Sequence, residues 1–326
     1  MSIADEQRAS VSGRSSAQSA SQPDAYSPQV IRKLNALTSD FYAREATSFS
    51  ATRQAPWHGW EKAWDVIATH NSDTEPLAVL DLGCGNLRFE RFLAERTSAP
   101  VHVIALDNCP ELAVPENGLP ERLTVNLQTL DLVEALLDGT FADRLPRGEC
   151  DLAVAFGLMH HLPTFALRAR ILEGLLGSLK PGGFAVVSFW QLLNDPRLAA
   201  KAATATAEGR AAHHLAAFQE NDFLLGWQQA EGVYRFCHHA PEAEIDALLD
   251  AIRKPSTPFT SGRAFAASSR PGARVASLPF HGAARDCPHT PLRPSLAAPL
   301  PFQEIARFSA DGKQGNLNRY LILQRL

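Results

Sequence analysis

Apolar residues fall in short runs of period two separated by longer stretches of period 3.6, and this alternation predicts strands interleaved with helices. Val79, Leu80 and Leu82 make one such run after Pro76. Beyond two glycines, Phe89, Phe92 and Leu93 recur at helical spacing with Glu90, Arg91 and Glu95 between them. Val101 to Asp107 predicts a second buried strand, Leu123 to Leu130 a third, Asp151 to Phe156 a fourth and Phe184 to Trp190 a fifth. Leu167 to Leu179 fits a helix closed by Lys180-Pro181-Gly182-Gly183. Phe302 to Phe308 and Asn318 to Leu326 predict a hairpin around Ala310 to Gly315 that supplies the sixth and seventh strands. The pattern implies one α/β domain, a Rossmann-like seven-stranded sheet with an antiparallel last strand.

The flanking segments divide the chain further. Residues 1–27, rich in Ser, Ala and Gln, lack the apolar content to order themselves and predict a disordered tail. Residues 28–70 predict an N-terminal helical cap: Ile31, Leu34, Leu37, Phe41 and Tyr42 follow helical spacing, and a second helix with Trp60, Trp64 and Ile67 follows the turn at Phe49 to Trp57. The cofactor-binding core is then 71–192, completed by the strand pair at 301–326. Residues 193–254 predict a helical lid insertion, with an Ala-rich helix from Asp195 to Glu220, an apolar knot at Phe223 to Trp227 and an amphipathic helix from Pro241 to Ile252. Residues 255–300 have little periodicity and predict a flexible loop, whose Arg-rich composition suits a soluble linker or a contact to a polyanion.

Composition narrows the function classes. A chain of 326 residues with 45% hydrophobic content can bury a substantial core. A net charge of −4 gives no global attraction to nucleic acid, so such a substrate would need a local basic patch. Five cysteines without a C-x-x-C pair suit a reduced, cytoplasmic protein with no structural zinc site. No apolar run approaches the length of a membrane span, so no membrane partner is expected.

The chemistry concentrates at Asp81-Leu82-Gly83-Cys84-Gly85-Asn86, where a strand turns through glycines into a helix N-terminus with free N–H donors. A dinucleotide fingerprint needs a third glycine where Arg88 stands, so that reading loses weight. The alternative, D-x-G-x-G, resembles motif I of the class I S-adenosylmethionine-dependent methyltransferases, with Leu87 where that family often has one more glycine. Asp107, 26 residues past Asp81 at the end of the second strand, suits a ribose diol. Asp131 closes the third strand; the methyltransferase pattern puts an acid there near the adenine amino group, while a helix N-cap is the alternative. The same resemblance implies cofactor contacts at Asn108, Leu132 and Phe156, and S-adenosyl-L-methionine as the cofactor.

Gly157 to Pro163 at the end of the fourth strand resembles motif IV and carries the pair His160-His161, which suits either structural hydrogen bonding or a substrate-facing role; no further ligand at usable spacing suggests a metal. A closer resemblance joins Phe49-Ser50-Ala51-Thr52-Arg53-Gln54-Ala55-Pro56-Trp57, Gly83-Cys84-Gly85-Asn86, the His pair and Tyr234-Arg235-Phe236-Cys237-His238. Together these are similar to the eukaryotic tRNA wobble-uridine carboxymethyl methyltransferases, over roughly residues 35 to 254 and 301 to 326. The sequence departs from that family at Leu87-Arg88, at Phe236-Cys237 in place of two tyrosines, and in lacking the Lys-rich insertion.

The resemblance implies methyl transfer to the carboxylate of a 5-carboxymethyl-type uridine, tRNA as the partner, and a small activator protein besides. A carboxylate acceptor is already ionised near neutral pH and needs positioning and a cation rather than a base. Arg235 is assigned to that acceptor and Arg53 to closing the cofactor cleft, with a contact to the cofactor's own carboxylate as the competing role for Arg53. A small-molecule acceptor with a hydroxyl would instead use His160 or His161 as base. A non-catalytic cofactor-binding partner subunit is the remaining alternative.

Overall fold

The computed structural model describes residues 26–70, 75–113, 118–216, 218–228, 230, 232–254 and 300–326. Most of the expected tail and nearly all of the expected loop at 255–300 lie outside these residues. The tail's last two residues are described, and both are structured. Tyr26 is buried, and the Ser27 side chain caps the helix that follows.

The elements run α1 (Pro28–Ala51), α2 (His58–Ile67), β1 (Leu77–Leu82), α3 (Arg88–Arg96), β2 (Val101–Asp107), β3 (Leu123–Thr129), α4 (Leu132–Leu137), β4 (Cys150–Ala155), α5 (Phe165–Ser178), β5 (Leu179–Trp190), α6 (Pro196–Ala212), β6 (Asp222–Leu225), β7 (Arg235–His238), α7 (Glu242–Arg253), β8 (Phe302–Ala310) and β9 (Asn318–Arg325). The main sheet has the order β3-β2-β1-β4-β5-β9-β8. β1 to β5 pair in parallel, and β9 lies antiparallel to both β5 and β8. The order reverses between β1 and β4, so a crevice opens beyond their carboxyl ends, where ligands bind in open α/β sheets.

Alternate strand residues feed two cores. Leu80, Leu82, Ala153, Ala155, Ala185 and Val187 pack with α1, α4, α5 and α7. Val79, Val103, Leu152, Val154, Phe184 and Val186 pack with α2 and α3 on the other face. This is the period of two expressed as a three-layer sandwich.

Three expectations are corrected. Phe49-Ser50-Ala51 form the last turn of α1 and not the following loop, because the helix continues to Ala51. The apolar knot at Phe223 to Trp227 is in part a strand: β6 pairs antiparallel with β7, so the insertion is two helices, α6 and α7, with a two-stranded ribbon between them. Phe223, Leu224 and Leu225 join the ladder, and Leu224 and Leu225 are buried. Glu90, read as part of a polar face, is fully buried. It lies three and four residues before Leu93 and Ala94, which share the buried face of α3.

Two contacts place the flanking helices. Gly59 in α2 rests on Tyr320 of β9 so closely that a Cβ there would stand 2.0 Å from the ring. Asp311, in the β8–β9 turn, accepts from the Gly59 N–H at 3.1 Å and from the Tyr320 hydroxyl at 2.6 Å. On the other side, the Thr38 hydroxyl of α1 accepts from the Phe236 N–H at 3.0 Å, and the Trp227 indole donates to Ser48 at 2.6 Å. Helix α1 thereby spans from the ribbon to the glycine loop.

Candidate active site

A cavity of about 460 Å³ lies over the carboxyl ends of β1, β2 and β4, and all the site residues expected from the sequence line it. At its floor β1 ends in Asp81, and the chain turns with Gly83 at φ 78°, Gly85 at φ 54° and Leu87 at φ 55°. A Cβ on Gly85 would meet nothing within 4 Å, so that face of the loop is open to the cavity. Leu87 holds a left-handed conformation that a glycine adopts at less cost, and it is nevertheless buried. The substitution exchanges conformational ease for apolar burial.

Asp107 accepts the Gly85 N–H at 2.9 Å on one oxygen and the Cys109 N–H at 2.8 Å on the other. Burial raises its pKa and these N–H donors oppose the rise. Each oxygen retains a further lone pair for a hydroxyl in the cavity. Asn108 lines the same wall and donates to Ser39 of α1 at 2.9 Å. Asp131 does serve as the N-cap of α4, accepting the Glu134 N–H at 3.0 Å, and its second oxygen accepts from Asn35 at 2.8 Å. The cap role accounts for one oxygen and leaves the residue on the cavity wall beside Leu132. Phe156 reaches the cavity from within an aromatic cluster, 4.7 Å from Phe89 and 5.6 Å from Trp60 between centroids.

The N-terminal cap closes onto the loop through Asn86, whose amide donates to the Ser50 hydroxyl at 3.2 Å and to the Arg53 carbonyl at 3.0 Å. The Arg53 guanidinium stacks 3.6 Å over Phe49 and 4.8 Å from Trp227, and burial pulls its pKa down to about 10. Arg88, at the departure from the family glycine-lysine pair, donates to the Ala55 carbonyl at 2.9 Å and sits over Trp57 and Trp60. It closes the same seam.

The same cavity is also lined by the expected acceptor residues His160, His161 and Arg235. His161 is held through both ring nitrogens, with Phe236 O 2.7 Å from Nδ1 and the Tyr42 hydroxyl 2.9 Å from Nε2. Nδ1–H donates to the carbonyl, so Nε2 accepts from the tyrosine. Burial and the nearby Arg235 push its pKa to about 3, and it stays neutral. This is the hydrogen-bonded structural use of a histidine, and it removes His161 as a free base. His160 stacks 4.0 Å from His161 and 5.0 Å from Trp190, its Nδ1 is buried without a partner, and burial drives its pKa well down.

Arg235 is 6% exposed, and its Nε and Nη1 have no hydrogen-bond partner among the described residues. Its guanidinium lies 4.4 Å from the Phe41 centroid and 5.9 Å from those of Phe49, Trp190 and Trp227. The sequence reading missed this aromatic frame, together with Tyr42, Asn35 and Glu90. Phe41 and Tyr42 were legible as an apolar helix face but not as a cavity wall, because their partners come from residues 190 to 236. The fold also corrects the expectation that no third metal ligand accompanies the His pair: ligand atoms of His160, His161 and Cys237 lie within 4.8 Å of one another. Both nitrogens of His161 are already engaged, and the adjacent Arg235 cation opposes a second one.

The strand order, the glycine loop and its carboxylates define the class: the core of a class I S-adenosylmethionine-dependent methyltransferase. Residues 79–183 match a family described as Methyltransferase domain. The chain is similar to the tRNA (carboxymethyluridine(34)-5-O)-methyltransferase of Arabidopsis thaliana, 27% identical over 197 residues, and the match covers 58% of this chain and 41% of that one. It is 24% identical over 151 residues to the mouse (Mus musculus) tRNA (carboxymethyluridine(34)-5-O)-methyltransferase ALKBH8, covering 46% of this chain and 19% of that one. The chain thus spans less than half of the length of either relative. Among solved structures, the Burkholderia thailandensis 1,6-didemethyltoxoflavin-N1-methyltransferase, with bound 1,6-didemethyltoxoflavin and S-adenosylhomocysteine, is similar at 15% identity and a TM-score of 0.48, covering 92% of this chain and 90% of that one.

Proposed function

We propose that this protein transfers a methyl group from S-adenosylmethionine to a carboxylate, that of a 5-carboxymethyl-type wobble uridine in tRNA. The observation that carries the acceptor half is Arg235, a buried guanidinium on the cavity lining whose Nε and Nη1 have no hydrogen-bond partner among the described residues. Aromatic rings and the Cys237 thiol surround this guanidinium, but among the described residues no carboxylate pairs with it, and a planar carboxylate fits its donor fork. Aromatic rings around it suit a flat base.

The cavity fits the cofactor on the chain's own features. Asp81 Oδ1 is buried without a partner, Gly85 leaves its approach open, and Asp107 and Asp131 each keep acceptor capacity. S-adenosylmethionine supplies an electrophilic methyl on a sulfonium. Arg235 would hold the acceptor carboxylate through its Nε and Nη1, while Asp81, Gly85, Asp107 and Asp131 would hold the cofactor that supplies the methyl group. No proton moves, so neither histidine is required as a base. His161 and Tyr42 fix the wall that Arg235 shares, and Arg53 with Asn86 keeps the cap over the cofactor and excludes water.

A second reading has one observation in its favour: His160 presents a neutral, unpartnered Nδ1, which suits a small-molecule hydroxyl acceptor. Mass spectrometry of tRNA nucleosides from cells with and without the protein separates the two. Accumulation of the free carboxymethyl nucleoside in its absence is the expected result; an unchanged profile favours the small molecule. A small activator protein and a cytoplasmic location remain part of the proposal, the second on the five cysteines without a C-x-x-C pair.

A further inference from the structure

Beneath the glycine loop two carboxyl groups are buried together. Asp81, the last but one residue of β1, is 2% exposed, and Glu90, in the first turn of α3, is fully buried. They lie within hydrogen-bonding reach of each other. Asp81 Oδ1 finds no N–H or O–H donor among the described residues, and the donor at the Glu90 carboxyl is its own backbone N–H. A proton on one of the two acids is the hydrogen bond that remains to them, and two bare carboxylates in contact at this depth would be prohibitively costly. Asp81 faces the cavity wall; Glu90 sits behind it.

We propose that Asp81 and Glu90 share one proton in the free protein and release it when the cationic end of the cofactor enters the cavity. Glu90 is then a positioning residue acting through Asp81. The pair goes from one negative charge to two, the proton passes to solvent, and the added charge is matched by the ammonium and sulfonium that S-adenosylmethionine carries. The inference rests on the cofactor assignment.

The surroundings favour this exchange. Burial raises both groups, Asp81 well above the carboxylate range and Glu90 to about 7, and each is also raised by the Asp107 carboxylate at the end of β2. The Glu90 backbone N–H, the hydrogen bond with Asp81 and, after them, Arg91 on α3 oppose the rise at Glu90. The Cys84 thiol of the loop, pushed up by burial and by Glu90, Asp81 and Asp107, stays protonated and adds no charge. A cation placed at Asp81 supplies the positive charge that the pair lacks, and it reverses the balance.

Proton release is read by calorimetry of S-adenosylmethionine binding to the full chain, at about pH 6.5, in two buffers of different ionisation enthalpy. At that pH the cofactor's own amino group is already charged, since its pKa lies near that of an α-amino group at about 8. The wild type is expected to release more than half a proton per cofactor and to bind roughly fivefold tighter as pH rises from about 6 to about 7. Glu90→Gln, which keeps a donor against Asp81 without a titrating proton, is expected to bind with a buffer-independent enthalpy and a flat pH profile. Binding by wild type without proton release overturns the inference and leaves the cofactor assignment standing. Equal release from Glu90→Gln overturns it too, because the proton then comes from elsewhere. Absence of binding in every buffer removes the cofactor assignment and the inference together.

Discussion

Asn86 of the glycine loop donates its side-chain amide to the main-chain carbonyl of Arg53 at 3.0 Å, joining the cofactor loop directly to the end of the N-terminal cap. The same amide donates to Ser50 at 3.2 Å. The F-S-x-T-R string and the G-C-G-N string, 30 residues apart, are therefore two halves of one seam. Asn86→Ala removes both bonds while leaving the loop's glycines intact. A net hydrogen bond contributes about 0.5–1.5 kcal/mol, so cofactor affinity should fall roughly two- to tenfold. Calorimetry checks this, and wild-type affinity in the variant would show that the cap is held by its aromatic packing alone.

The contact between Gly59 and Tyr320 predicts a stability effect. A Cβ at Gly59 would stand 2.0 Å from the ring, and the ring is pinned by Asp311 on its hydroxyl and by stacking on Phe308 at 5.2 Å. Neither the ring nor α2 can yield without breaking another contact. Gly59→Ala should cost about 1–3 kcal/mol by overpacking, a drop of several degrees in Tm. A thermal scan within about a degree of wild type would mean that the helix slides freely on the hairpin.

Much of the sheet was legible because strand periodicity and the glycine loop are local signals. β2 falls where Val101 to Asp107 predicted it, and the terminal pair falls on the expected hairpin. β6 was not legible: four residues of Asp-Phe-Leu-Leu carry no period, and their partner strand lies ten residues on. The cavity floor was readable from Asp81, Gly83, Gly85 and Asp107, whose spacing follows from one βαβ unit. Its far wall was not, since Tyr42, His161 and Phe236 meet only through tertiary packing. Glu90 misled because a charged residue between aromatic ones suggests a polar face, and burial in a carboxyl pair overrides that expectation.

The two buried histidines predict acid sensitivity. His161 is held near a pKa of about 3 and His160 well below its usual value, both chiefly by burial, so the unfolded chain binds protons at these positions before the folded one does. Their contribution is fully present above the unfolded pKa of about 6.5 and is lost as pH falls below it, at up to about 1.4 kcal/mol per pH unit for each group. His161→Asn should lower stability at neutral pH and flatten its decline between about pH 6 and 4. Urea unfolding at several pH values measures both, and a variant with the wild-type slope would place the acid sensitivity in the carboxylates instead.

The division of labour between the two cavity arginines is the sharpest consequence of the proposed function. Arg235 is buried with Nε and Nη1 free, while Arg53 lies across Phe49 and Trp227 on the cap, with its backbone carbonyl tied to the cofactor loop. The first is placed for the acceptor and the second for the cofactor cleft. Losing a charge-assisted bidentate contact costs about 1.5–3 kcal/mol, or roughly ten- to a hundredfold in binding. Arg235→Lys keeps the charge and loses the planar fork, so it separates the two contributions better than alanine alone. Arg235→Ala should raise KM for the acceptor by about that factor with cofactor Kd nearly unchanged, and Arg235→Lys should recover only part of it. Arg53→Ala should weaken cofactor binding first. The two kinds of constant, measured on one acceptor carrying a carboxymethyl group, decide the matter. An Arg235→Ala enzyme that turns over this acceptor as wild type does would make the arginine a packing element for the rings around it, and the acceptor carboxylate would then need another cation.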